Sequence, residues 1–303
     1  MIITLIHNPG AGGEDRPDRA ALENMLQQAG HAVFYQSSDD EDWEQALKRP
    51  AELVVVAGGD GTVGRVARRL AERKLPFAAL PLGTANNIAR SLGLMDHSIE
   101  QHVAMWPQAR RLKLDLGLAR GPWGEEAFIE GMGLGLFAWM MPLADESPKM
   151  AAITDADEAL SYALKMLRRL LEEHAPDHIK ATLDGADISG NYLLFEALNL
   201  PYVGPNLFLA PDARPDDGLL DVVMVDEAHR DELLAAITDW QEGKSTLPRL
   251  PTRRGKLLKI EPVADNVHMD DKLWRAGDSA LPNRGDIEVK LMAGAVEVLV
   301  PAK

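Results

Sequence analysis

The chain has no cysteine among its 303 residues. Disulfides, thiolate zinc sites, iron–sulfur clusters and cysteine nucleophiles are therefore excluded together. Cationic charge is also scarce: 32 Lys and Arg stand against 47 Asp and Glu, for a formal charge of -15. A net anion has no bulk attraction for nucleic acid or anionic lipid, so no nucleic-acid partner is expected. Any phosphate or membrane binding must come from local patches. Long apolar runs are missing as well. The longest uncharged apolar stretch, residues 132–144, is too short to cross a bilayer. The opening Met1-Ile2-Ile3-Thr4-Leu5-Ile6 has neither a basic leader nor a cleavage signature and reads as a strand, which predicts a cytoplasmic protein. No G-x-S-x-G elbow and no H-E-x-x-H pair occurs, so neither a serine-hydrolase nor a zincin reading has support.

What is present is an ordinary globular composition, 46% hydrophobic and 26% charged, on a length that suits about two domains. The first third alternates apolar β-rich runs (residues 2–6, 31–35, 53–57 and 77–81) with helical spacings (19–29, 63–72 and 85–92). That rhythm predicts a mainly parallel sheet with helices on its faces. From about Asp115 the rhythm changes to short strands with intervening turns, the pattern of an antiparallel sandwich. Helices are expected at residues 155–173 and 231–241. The predicted plan is an α/β nucleotide-binding domain, residues 1–117, and a β-sandwich domain, residues 118–303, with a cleft between them. The last strand is free to return to the first domain. Strands are read at 286–291 and 296–300, with Ala293-Gly294 as a turn between them.

Three glycine-rich loops each follow a strand of the first domain. They are Asn8-Pro9-Gly10, Gly58-Gly59-Asp60-Gly61-Thr62 and the segment with Gly83, Thr84 and Asn86. The tips of parallel strands face one crevice, so the loops should converge there. Glycines would let the backbone approach a polyphosphate, with helix-start N–H groups and the hydroxyls of Thr62 and Thr84 donating to it. Arg65, Arg68, Arg69 and Arg73 would raise the local potential. Asp60 places an anion among phosphate donors, which implies an intervening Mg²⁺.

These loops, together with Asp115-Leu116-Gly117, Asn199, Tyr202-Val203-Gly204-Pro205, Ala210-Pro211-Asp212-Ala213 and Asp217-Gly218-Leu219-Leu220-Asp221, resemble those of the lipid kinases that include diacylglycerol and sphingosine kinases, in particular their soluble bacterial members. The likeness runs nearly end to end. It implies ATP and Mg²⁺ as cofactors, a lipid hydroxyl as acceptor, peripheral contact with a membrane and a possible homodimer. The resemblance makes Asp270 the base that takes the acceptor proton. Asp271 and Lys272 stand where relatives carry Gly and Glu. Lys272 is expected either to pair with Asp270 or to reach the nucleotide phosphates. Arg214, Asp217 and Leu219 match a structural Mg²⁺ site made of one Asp side chain and two backbone carbonyls, linked through water to Asp60. Apolar residues of 132–144 and of the 155–173 helix are candidates for an acyl pocket. The alternatives are a soluble-nucleotide kinase of the NAD kinase type, which shares the Gly-Gly-Asp-Gly-Thr loop, and a catalytically weak lipid- or nucleotide-binding regulator.

Overall fold

The computed structural model describes residues 1–12, 16–71, 73–244, 247–261, 266–275 and 285–302. The chain forms two compact units. One holds residues 1–114, 154–156 and 293–303, the other residues 115–153 and 157–292.

In the first unit, strands β1 (Ile2–His7), β2 (Ala32–Ser37), β3 (Leu53–Gly58) and β4 (Phe77–Pro81) pair in the order β4-β3-β1-β2, all parallel. Val298 of the last strand adds to the other side of β4, also parallel. β3 is buried along its whole length, as its run of Val and Leu requires of a strand covered on both faces. Helix α1 (Arg19–Gln28) starts on the Asp18 side chain, which accepts the Ala21 N–H at 2.8 Å. Helices α2 (Asp60–Leu70) and α3 (Asn87–Ser91) begin directly at the loops after β3 and β4. Helix α4 (Ile99–Met105) opens on a capping box, Ser98 with Gln101, a sequence signal that periodicity alone passes over. Leu5, Val55, Leu80, Leu22 and Leu26 meet in one apolar core.

The second unit is a sandwich backed by helices. Six antiparallel strands run in the order Thr252–Gly255, Leu220–Val225, Leu194–Leu198, Gly131–Gly135, Asn266–Met269, Lys272–Arg275. Their side chains alternate between faces, as a period of two demands. Met132, Leu134, Phe195, Ala197, Val222, Met224, Val267 and Met269 pack against Ala181, Leu183, Leu258, Ile260, Ile287 and Val289 of the facing strands. On the opposite face, Leu194, Leu198, Val223 and Val225 pack against Leu136, Phe137 and Met140 of helix Leu136–Asp145, against Leu164, Leu167, Leu170 and Leu171 of helix Ala156–Glu173, and against Leu233 and Ile237 of helix Arg230–Gln241.

Two expectations are corrected here. Residues 287–300 form one strand, not two around a turn. The buried positions change phase across Gly294, which has φ +58°, so the chain passes its face-switch within the strand as a bulge glycine does. The candidate acyl residues also divide between two core layers. Met132 and Leu134 lie in one core layer and Leu136, Phe137 and Met140 in the other, because the chain turns from strand to helix at Gly135, φ +83°. Trp139 stacks on His174 with ring centroids 4.6 Å apart.

Candidate active site

The three loops of the first unit converge. Asn8 Nδ2 donates to Thr62 Oγ1 at 3.2 Å and Asn8 Oδ1 accepts the Gly10 N–H at 2.9 Å, which ties the first loop to the second and shapes its turn. Pro9 and Gly10 lie exposed beside it. The Leu82 N–H donates to the Gly58 carbonyl at 3.0 Å. The second and third loops touch backbone to backbone: a Cβ on Gly83 would stand 2.3 Å from the Gly59 Cα, and one on Gly59 would stand 3.0 Å from the Gly83 Cα. These two glycines are thus required for the loops to pass each other, whatever they bind. A Cβ on Gly58 would meet the Thr62 side chain at 2.9 Å.

Asp60 is the clasp. Its two carboxylate oxygens accept the N–H groups of Asn87, at 3.0 Å, and Ile88, at 2.9 Å. Half-buried Asp60 at the head of α2 therefore caps α3. Burial pushes its carboxyl above the ordinary range, and the backbone donors pull the other way. Asn86 shapes the third loop. It sits in the left-handed region at φ 54°, and its side chain accepts from the Gly83 N–H at 2.9 Å and donates to the Gly83 carbonyl at 2.7 Å. Helix α2, with Gly61 in its first turn, has no side-chain cap on its leading N–H groups, which suits an anion.

The two expected hydroxyl donors differ in their surroundings. Thr62 is buried with its hydroxyl on Asn8, whereas Thr84 is exposed. Arginines on and just after α2 meet the short helix Trp43–Lys48: Arg69 pairs with Glu44 at 2.7 Å, Arg73 donates to the Leu47 carbonyl and Arg65 stands over the Trp43 ring.

The second unit has carboxylates of its own. Asp270 forms the two-residue turn between Asn266–Met269 and Lys272–Arg275, at φ 49°. Its carboxylate is received by a row of backbone donors, Ile129 at 3.0 Å, Glu130 at 2.9 Å and Gly131 at 3.4 Å. Consecutive N–H groups of this kind hold an anion in acceptor form. Asn199, fully buried, carries this arrangement onward. Its Nδ2 donates to the carbonyls of Ile129 and Asp115, each at 2.9 Å, and the Asp115 carboxylate accepts the Gly218 N–H at 2.7 Å. One hydrogen-bonded chain thus joins the Asp270 seat to the Asp217-Gly218 turn.

Lys272 does not pair with Asp270. Its ammonium reaches Glu126 on strand Gly124–Phe128, and the Asp270 carboxylate is held by backbone N–H groups instead. The expected structural Mg²⁺ site also differs. Among the described residues, no cluster of three His, Asp or Glu side chains could hold a metal ion. The one carboxylate of the expected set, Asp217, is engaged by the Arg254 guanidinium on Oδ2 and by the Leu219 N–H, at 3.0 Å, on Oδ1. Arg254 also reaches buried Asp221 at 3.1 Å. The Arg254 guanidinium thus supplies the positive charge at the carboxylate that the resemblance assigns to Mg²⁺.

Sequence reasoning missed Glu196 and His268, which form a buried pair with His268 Nε2 2.9 Å from both Glu196 oxygens. The available signal was polar residues within otherwise apolar strands.

Comparisons with known proteins agree with this architecture. Residues 2–119 match the diacylglycerol kinase catalytic domain, and residues 146–300 match the YegS C-terminal NAD kinase β-sandwich-like domain. A diacylglycerol kinase of Mycobacterium tuberculosis is 25% identical over 99% of this chain and 95% of its own length. A Pseudomonas aeruginosa protein named "Probable lipid kinase YegS-like" is 31% identical over 73% of this chain and 70% of its own. The crystal structure of a diacylglycerol kinase from Bacillus anthracis superposes with a TM-score of 0.74 at 21% identity, covering 98% of this chain and 96% of that one, a likeness of fold. Since relatives of one kind account for both units, the chain belongs to the diacylglycerol kinase and YegS-like family of lipid kinases.

Proposed function

We propose that this lipid kinase transfers the γ-phosphoryl group of ATP to a hydroxyl of a membrane-derived lipid, with diacylglycerol as the first acceptor to test and a sphingoid base or phospholipid headgroup as the others. The observation that carries the reading is the mutual locking of the three strand-tip loops, Asn8 on Thr62, Gly59 on Gly83 and Asp60 on Asn87 and Ile88. It leaves the start of α2 uncapped by a side chain and rigid enough to receive a triphosphate through backbone N–H groups.

In this reading Asp270 accepts the proton of the acceptor hydroxyl as its oxygen bonds to the γ-phosphorus, and the bond from that phosphorus to the bridging oxygen breaks to leave ADP. Mg²⁺ bound with the nucleotide would supply positive charge to the phosphate oxygens. Asp60 holds the loops in register. Such an enzyme works in the cytoplasm against a membrane face, since its acceptor resides there; no described helix is long and apolar enough to cross a membrane. The test is transfer from γ-labelled ATP to a panel of diacylglycerol, sphingosine, phosphatidylglycerol and NAD. Label in a lipid product is expected. Label only in NADP would place the chain with soluble-nucleotide kinases, and no transfer to any acceptor would favour a binding regulator.

A further inference from the structure

Glu196 and His268 lie on the helix-covered face of the six-stranded sheet, among apolar side chains, where a buried charged pair has to be accounted for. Strand Gly131–Gly135 is central, and both residues are its register partners at the same point: Glu196 stands opposite Gly133 on one side and His268 opposite Gly133 on the other. Gly133 leaves the space that they fill. A Cβ there would stand 2.2 Å from the Glu196 carboxylate. His268 Nε2 is 2.9 Å from both oxygens of Glu196. The Phe137 ring closes over the imidazole edge-on, with centroids 5.7 Å apart. Two residues along the strand is Asp270, whose backbone also favours the charged imidazole and whose own N–H donates to the Gly131 carbonyl at 2.9 Å.

A pair of this kind adds little to stability. Replacing a buried ion pair by apolar residues of like volume is often neutral or stabilising. Its value therefore lies in what it fixes, and the element next to it is the tight turn that presents the Asp270 carboxylate to the 129–131 donors.

We propose that Glu196 and His268 are positioning residues for the reaction: the imidazole, anchored across Gly133 to the Glu196 carboxylate, pins the end of strand Asn266–Met269 so that Asp270 keeps a single orientation on the N–H groups of residues 129–131. This rests on the reading of Asp270 as the base. The neighbouring carboxylate raises the protonation of His268 against the effect of burial, which keeps a donor on Nε2.

The test compares the wild type, His268→Gln, the double variant Glu196→Leu/His268→Met, and Asp270→Asn. Turnover is measured with γ-labelled ATP and diacylglycerol micelles, and amide exchange is followed segment by segment by mass spectrometry. In the double variant, exchange should accelerate at 129–131 and 270–271 while the other strands stay protected. Its kcat should fall ten- to hundredfold with the KM for ATP unchanged, the loss expected when a reacting group is misplaced by about an ångström. His268→Gln, which still donates to Glu196, should recover most of both. Unchanged exchange at those segments in the double variant, or a rise spread evenly over the sheet, overturns the inference. Should the double variant fail to fold, His268→Met is compared with His268→Gln. Faster exchange at the turn in the methionine variant alone supports the proposal, and equal behaviour of the two overturns it. Full activity in Asp270→Asn would instead strike the underlying reading of the base. An inactive Asp270→Asn beside a double variant with wild-type kcat and exchange would strike the positioning pair alone.

Discussion

The two units build their local geometry by opposite means. In the first, the geometry is made from backbone: two glycines in contact, a loop asparagine bonded to its own turn, and one carboxylate capping the next helix. In the second it is made from buried side chains that reach far along the chain. Ile129 receives a residue 141 positions away, and Asn199 reaches Asp115 across 84. The difference teaches that a phosphate cradle can be written locally, whereas a correctly aimed carboxylate needs a scaffold assembled from distant strands.

The largest effect that could break this contrast is at Asp270. Asp270→Asn should reduce turnover by about 10²–10⁴-fold, the range for a lost general base, and leave ATP affinity unchanged by titration calorimetry. The amide also turns an N–H donor toward the donors of residues 129–131, so its turn should exchange faster. A variant that transfers phosphate normally would move the chemistry elsewhere.

Next comes the backbone side of the comparison. Gly83→Ala drives a methyl to within 2.3 Å of the Gly59 Cα. It should weaken ATP binding more than tenfold and lower stability by about 1–3 kcal/mol, as overpacking does. Gly30→Ala is the control. That residue has a positive φ, which Gly83 does not, but a Cβ there meets nothing within 4 Å, so about 1 kcal/mol of backbone strain is expected with ATP affinity intact. Equal loss of affinity in both variants would mean that the glycine contact does not shape the cradle.

The contrast also explains what the sequence made legible. The α/β rhythm and its three loops could be read because each consists of consecutive residues after an apolar strand. The sandwich could be read as a class from its short strands. Its internal contacts could not. Lys272, two positions from Asp270 in sequence, suggested an ion pair, yet the lysine reaches Glu126 while backbone N–H groups hold the Asp270 carboxylate. Asp217 suggested a metal ligand, while Arg254, 37 positions away, occupies its carboxylate. Gly58 to Thr62 looked like a phosphate surface, and part of it proved to be the packing between loops.

A third prediction sharpens the second-unit account. Arg254→Met leaves buried Asp221 without its cation and should cost about 2–3 kcal/mol, less than a fully buried pair because Arg254 reaches solvent. Burial raises the Asp221 carboxyl above its unfolded value. Stability from such a group is present below the unfolded pKa and is lost as pH rises through the folded one. Without Arg254 that loss should grow, so thermal midpoints measured from acid to neutral pH should fall more steeply than in the wild type. Millimolar Mg²⁺ without nucleotide should not raise the wild-type midpoint, since Asp217 is already paired. A clear Mg²⁺-dependent rise would restore the divalent site. The smallest effect is at Lys272→Met: its partly exposed pair with Glu126 contributes less than about 1 kcal/mol, so denaturant midpoints should barely move.

The most direct measurement is the amide-exchange footprint of a non-hydrolysable ATP analogue with Mg²⁺ on the wild type and on Asp270→Asn. Protection is predicted at residues 8–12, 58–63 and 82–88 in both proteins, with phosphoryl transfer from ATP lost only in the variant. An analogue that left those three segments unprotected in the wild type, while the enzyme still phosphorylated lipid, would contradict the account.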